Sequence, residues 1–200
     1  MNVIEYMQFT TKISLIKIKN NLSQKNLTES EIEALNSIKN IKRRNEFVST
    51  RNLRTHLFGK KTIKYNEFGA PYIENSNIHI SISHTNEYVG IAWSEKHSVG
   101  MDIEVIDRNV SSIQHKFINP NEKKMISLYE NENIPLMIWS IKESLYKLNK
   151  SKGLDFLKDL SCEKINTDLW KGHIHNSNPK SYFFKIKNFQ NHIICFNIEQ

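Results

Sequence analysis

Three strand patterns follow one another between Ile78 and Ile106, and they limit the fold more than any other feature of this chain. Ile78, Ile80 and Ile82 alternate with His79, Ser81 and Ser83, the period-2 signature of a strand. Tyr88 to Trp93 is apolar enough to be buried on both faces. From Val99 to Ile106 the alternation returns, with Met101, Ile103 and Val105 on one side and Asp102 and Glu104 on the other. Helices are marked on both flanks. Thr28 opens a capping box that Glu31 closes, ahead of Ile32, Leu35 and Ile38. A second helix is expected from Ile41 to Phe58, with Phe47, Leu53 and Leu57 along one side and Gly59 as its stop. Asn119-Pro120-Asn121-Glu122 starts another, and a longer helix is expected from Pro135 to Lys150, ending near Gly153. Phe68 to Tyr72 reads as a turn, and further strands are expected at Ile13–Ile18, Tyr182–Ile186 and His192–Ile198. Helices and strands mix without a regular βαβ rhythm, which predicts the α+β class.

The 200 residues suffice for one domain or two small halves with a real core. The net charge of +7 is concentrated. Lys39, Lys42, Arg43, Arg44, Arg51, Arg54, Lys60, Lys61 and Lys64 share their segment with one acid, Glu46. Such a patch faces phosphate, nucleic acid, an anionic membrane or an acidic protein, unless it is a solvated helix face. Arg51 and Arg54 lie one turn apart and can converge on one anion. No apolar run approaches the ~18 residues of a membrane span; the longest, Ile134 to Trp139, contains Pro135. Residues Met1 to Thr10 carry Glu5 and lack the layout of a secretory signal. Cys162 and Cys195 are far apart and lack metal-ligand spacing, so reduced thiols in a cytoplasmic protein are expected.

Three constellations can carry chemistry. Asp102 and Glu104 project from one strand face about 6–7 Å apart at the backbone. A divalent cation with oxygen ligands would relieve their repulsion, and Mg²⁺ takes carboxylates together with substrate phosphates. Taken alone, the pair is more often a solvated strand face. Trp139, Glu143 and Lys147 fall on one helical stripe with Lys142 beside them, although Glu143 and Lys147 also fit a plain i, i+4 surface pair. Ser83-His84-Thr85 ends a strand, where it could bind phosphate, supply a base, or simply make a hydrogen-bonded turn. No G-x-S-x-G elbow, P-loop or G-x-G-x-x-G is present.

In order and spacing, Ser83-His84-Thr85, Gly100-x-Asp102-x-Glu104 and Trp139-x-x-Lys142-Glu143-x-x-x-Lys147 closely resemble the 4′-phosphopantetheinyl transferases. The length and doubled layout resemble the larger monomeric type that activates surfactin synthetase. The resemblance runs from about Lys42 to Leu154, with Lys152-Gly153-Leu154 also familial. It implies two similar halves, residues 1–98 and 99–200, related by a pseudo-two-fold, with coenzyme A in the cleft between them. It implies Asp102, Glu104 and Glu143 as Mg²⁺ ligands and Lys147 on the coenzyme A pyrophosphate. Lys142 would support that pyrophosphate or the carrier serine. Ser83 and His84 would hold the 3′-phospho-ADP part, and Arg51 the 3′-phosphate with help from Arg43, Arg44 or Lys42. The implied reaction moves the phosphopantetheine arm to a serine of an acidic acyl or peptidyl carrier protein, with Glu143 as a candidate base and a cytoplasmic monomer as the enzyme. Relatives often carry Gly-Lys-Pro where this chain has Gly69-Ala70-Pro71, and Lys60, Lys61 or Lys64 are the candidate substitutes for the missing cation. Two other readings use the same residues: a nucleic-acid-binding module on the basic patch, and a metal-dependent phosphohydrolase on the carboxylates.

Overall fold

The computed structural model describes residues 2–20, 23–129 and 133–199. The chain opens with the hairpin β1 (Val3–Gln8) and β2 (Thr11–Lys17). Helices α1 (Glu29–Ser37) and α2 (Ile41–Phe58) follow, then a short hairpin of β3 (Ile63–Tyr65) and β4 (Pro71–Ile73). Strands β5 (His79–His84) and β6 (Tyr88–Ser94) complete an antiparallel sheet of order β1-β2-β6-β5. Next come β7 (Met101–Val105), a 3₁₀ turn (Ser111–Lys116), α3 (Pro120–Leu128) and α4 (Ile134–Asn149). Strands β8 (Leu160–Lys164), β9 (Leu169–Ile174), β10 (Lys180–Phe189) and β11 (His192–Ile198) form a second antiparallel sheet with β7, in the order β7-β11-β10-β9-β8. Helix α2 packs on β2 and β6, and α4 packs on β7, β8, β9 and β11. Mixed helices and antiparallel sheets fit the expected α+β class.

The helix ends follow from local chemistry. Thr28 accepts from the Glu31 amide while Glu31 accepts from the Thr28 amide, the reciprocal box the sequence announces. Asn119 and Glu122 repeat it at α3, with Pro120 in the first turn. Gly59 ends α2 at φ 63°, a backbone region that costs glycine little. Strands β8 and β9 escape the sequence reading because Cys162 and Gly172 occupy inward positions, which blurs the apolar period. Gly172 is needed there: a Cβ would lie 2.8 Å from the Phe184 ring. Strand β1, at the sheet edge, and the three-residue β3 and β4 also carry too little pattern to be read in advance.

The sheets meet where β5 lies against β7. Strand β7 is an edge strand and pairs only with β11, so its other side offers unpaired amides. Two serines of β5 take them: the Met101 N–H donates to Ser81 Oγ at 3.0 Å and the Ile103 N–H to Ser83 Oγ at 3.3 Å. The period-2 spacing of the serines matches the period-2 spacing of the amides. Apolar contact reinforces the junction, because Ile13, Leu15 and Tyr88 share one buried cluster with Met101, Ile103, Ile194 and Phe196. Asn197 holds the start of β7, accepting from the Gly100 N–H at 2.8 Å and donating to Ser98 O at 3.0 Å.

Gly100 lies where β7 meets α4 backbone to backbone. A Cβ there would sit 2.2 Å from Ser144 O and 2.7 Å from Leu148 Cγ. Replacing Gly100 with Ala should therefore cost about 1–3 kcal/mol through overpacking, read as a lower urea midpoint at unchanged slope. Wild-type stability in this variant would remove the close-approach argument.

Candidate active site at the junction of the two sheets

Asp102 lies on β7 with 4% exposure, so the solvated-face reading of this acid does not apply. Its charge is matched by three neighbours. Oδ1 accepts from Lys147 Nζ at 2.8 Å and from Ser83 Oγ at 3.0 Å, and Oδ2 accepts from Ser140 Oγ at 3.0 Å. The ligands come from β5 in one sheet and from α4 over the other. Lys147 also donates to Ser83 Oγ and to Met101 O, so its ammonium pins α4 to the junction. It is therefore spent on Asp102 rather than on a surface pair with Glu143.

Glu104, two residues on, is also buried. Its Oε1 accepts from Trp139 Nε1 at 2.9 Å and from Arg108 Nη1, whose guanidinium lies 5.1 Å from the Trp139 ring centre. The indole packs against Phe117 and Phe156. Glu143 is half-buried on the same helical stripe as Trp139 and Lys147, and it has no hydrogen bond or ion pair among the described residues. Burial, then the charge of Asp102, push the Glu104 carboxyl up to about 7 against the pull of Arg108 and Trp139. The same two causes, in the same order, raise Glu143. The three predicted acids thus feel one another. Among the described residues, however, no three His, Cys, Asp or Glu side chains lie close enough to close on one ion. Lys147 and Arg108 occupy two of the acids as counter-ions.

The structure does not bring Lys142 into this site. Its side chain is 0% exposed, paired with Glu122 at 2.8 Å and bonded to the carbonyls of Phe117 and Phe156. Those three bonds use all three ammonium protons. Lys142 and Glu143 are helix neighbours about 100° apart, so one turns to the acids and the other into the core. Glu122 completes the arrangement by accepting from the Asn119 and Cys162 amides.

Much of the basic patch is also structural. Arg51 and Arg54 do converge on one anion, and it is the chain's own Glu31, at 3.5 and 3.0 Å. Arg54 is 1% exposed and also donates to the Asn26, Lys61 and Arg51 carbonyls. Arg51 is buried and stacks on Phe47 at 3.8 Å. Arg44 caps α1 through the Leu35 and Ile38 carbonyls. Arg43 and Lys42 remain exposed. A groove of about 870 Å³ beside α2 is lined by Lys39, Arg43, Phe47, Tyr65 and His84, where His84 comes within 3.7 Å of Glu46. A second cavity, about 290 Å³, shares Tyr65, Gly69 and Ile82 with it and reaches Tyr146 and Lys147 on α4 and Lys150 just past its end. Ser83 is turned from these walls into the Asp102 network. Ala70 lines the second cavity, whose cations are Lys147 and Lys150, not Lys60, Lys61 or Lys64.

The acids of β7, the α4 stripe and the sheet that carries them form one continuous stretch. Residues 98–196 match the family model of the 4′-phosphopantetheinyl transferase superfamily. The match covers just under half of the chain and contains Asp102, Glu104, Glu143 and Lys147, while Arg43, Ser83 and His84 lie outside it. No curated protein matches the chain. No helix among the described residues is long and apolar enough to cross a membrane.

Sequence reasoning missed Ser140, Arg108 and Glu122. Ser140 precedes Glu143 by three residues and so shares its helix face, a signal that was available. Arg108 follows the strand in a turn, where no periodicity announces a partner. Glu122 belongs to the helix start Asn119-Pro120-Asn121-Glu122, and nothing in that pattern announces a buried counter-ion.

Two outcomes follow from this geometry. Lys142→Met should lose about 3–5 kcal/mol of unfolding free energy by leaving Glu122 buried and unpaired, and Lys142→Met/Glu122→Gln should recover part of it; an unaffected single variant would place Lys142 in solvent. Glu104 binds its proton more tightly folded than unfolded, so the metal-free protein should lose stability as pH rises from about 4.5 to about 7. Glu104→Gln should flatten that limb in thermal melts with chelator, and an unchanged slope would contradict the raised carboxyl.

Proposed function

We propose that this protein transfers the 4′-phosphopantetheine arm of coenzyme A to a serine of an acyl or peptidyl carrier protein, releasing 3′,5′-ADP. The observation that carries the reading is the trio Asp102, Glu104 and Glu143, apposed across β7 and α4 inside the stretch similar to this superfamily. Their donors are all carboxylate oxygens, the set that suits Mg²⁺, and the mutual repulsion that raises Glu104 and Glu143 is what a divalent cation would relieve. When bound, Mg²⁺ would neutralise charge on the pyrophosphate and its leaving group.

The remaining roles belong to side chains. Lys147, at the end of the smaller cavity, sets its positive charge beside the pyrophosphate while its N–H bonds stay on Ser83, Met101 and Asp102. Arg43 and His84, along the larger groove, take the 3′-phosphate end of coenzyme A, with Arg51 behind them holding Phe47 and Glu31. Glu143, which has no hydrogen-bond or ion-pair partner among the described residues, accepts the proton of the carrier serine. The serine oxygen bonds to the phosphorus that bears pantetheine, the bridging P–O bond breaks, and 3′,5′-ADP leaves with that oxygen. Positioning and charge neutralisation supply most of the rate, as in other phosphoryl-type transfers. Exposed Lys39, Lys42 and Arg43 offer an acidic carrier a positive approach. We read the two helix-covered sheets as the two halves, with one chain supplying both walls of the cleft, and the enzyme as a monomer that works in the cytoplasm.

The test is to incubate the protein with Mg²⁺, coenzyme A and apo carrier proteins of the fatty-acid and nonribosomal-peptide types, then weigh the carriers. A gain of one phosphopantetheine arm is expected. Glu143→Ala should lower transfer by about 10²-fold or more while the far-UV spectrum is unchanged, and Asp102→Asn, which keeps the side chain's size and an oxygen for the serines, should lower it as far. No mass gain on any carrier type would overturn the reading.

A further inference from the structure

We propose that Arg108 is a resident counter-ion of the carboxylate site, displaced from Glu104 when a divalent cation binds, and that it thereby sets the cation concentration at which the site fills. The inference rests on the preceding reading that the three acids take such a cation.

Among the described residues two side-chain cations, Lys147 and Arg108, face the acids, and they are held differently. Lys147 is fixed by three bonds to Ser83, Met101 and Asp102. Arg108 reaches Glu104 Oε1 from the turn after β7, with its side chain 40% exposed against 10% for Glu104. Its guanidinium has one carboxylate contact and one aromatic face, that of Trp139. The arginine can withdraw into water, whereas Glu104 cannot follow it. Water can solvate the departing guanidinium, so the arginine side of the pair is open to exchange.

The pair also explains why the acids stand apart. While Glu104 is held by Arg108 and Asp102 by Lys147, Glu143 has no hydrogen-bond or ion-pair partner among the described residues. No three of the described acidic side chains then close on one ion. A cation entering the site must take Glu104 from Arg108, and its apparent affinity is reduced by the fraction of molecules in which Glu104 is free. Without Arg108 the buried acids would repel one another in the empty site, so the arginine keeps the site in shape at the expense of affinity. The Trp139 ring reports the exchange, because the guanidinium leaves its face as Glu104 is released.

The test uses the full chain and Mn²⁺ alone, followed by electron paramagnetic resonance at about pH 8.5, where proton competition at the carboxylates is small. Arg108→Gln should bind Mn²⁺ about tenfold more tightly than wild type, and Arg108→Lys, which keeps a cation at the mouth, should stay within about threefold. Mg²⁺ should change the tryptophan emission of wild type, and this change should be smaller in Arg108→Gln, where only the Trp139–Glu104 bond is left to respond, and absent in Trp139→Phe. Equal or weaker Mn²⁺ binding by Arg108→Gln overturns the counter-ion inference and leaves the metal reading standing. An unchanged wild-type emission at saturating Mg²⁺ likewise overturns the displacement. No Mn²⁺ bound by either protein overturns both.

Discussion

Asp102 carries a charge that is almost out of water, and burying an unmatched carboxylate costs several kcal/mol. The fold meets that demand from three directions at once. Ser83 comes from the first sheet, Ser140 and Lys147 from the helix over the second, and the acid itself from the edge strand between them. None of these elements can shift without exposing the charge or stranding it. The serine ladder of β5 on the β7 amides and the glycine that lets β7 approach α4 serve the same end. Once Asp102 is seated, Glu104 and Glu143 are brought into each other's field, with carboxyls raised by burial and by Asp102.

Positive charge is distributed by the same logic. The basic segment from Lys39 to Lys64 looks in sequence like a single surface patch. In the folded chain Arg54, Arg51 and Arg44 work inward, on Glu31 and on the last carbonyls of α1. What remains toward solvent falls in two places: Lys39, Lys42 and Arg43 beside a groove that His84 and Tyr65 also line, and Lys60 and Lys61 past the end of α2.

The helices were legible because their ends are local events. A capping box, a proline in the first turn and a glycine at positive φ each act within a few residues. The central strands were legible because their alternation is strong. β8 and β9 were not, since Cys162 and Gly172 replace large apolar groups at inward positions. For the site, the stripe of Trp139, Glu143 and Lys147 could be read from helical spacing. Lys142 could not, because sequence shows which residues are adjacent on a helix but not which face meets the core. Arg51 was misjudged for a related reason: its counter-ion, Glu31, already had an evident task as a cap.

By itself the sequence determined where the helices begin and end, the α+β class, and the short list of acids and cations from which a site could be made. Those features depend on contacts within a few residues, or on residue types at set spacings. The tertiary structure alone decided which charges face one another. It put Lys142 on Glu122, Arg54 on Glu31, Lys147 on Asp102 and Arg108 on Glu104. The reason is physical: a charge removed from water takes the nearest opposite charge the packing allows, and packing joins residues that the sequence holds far apart.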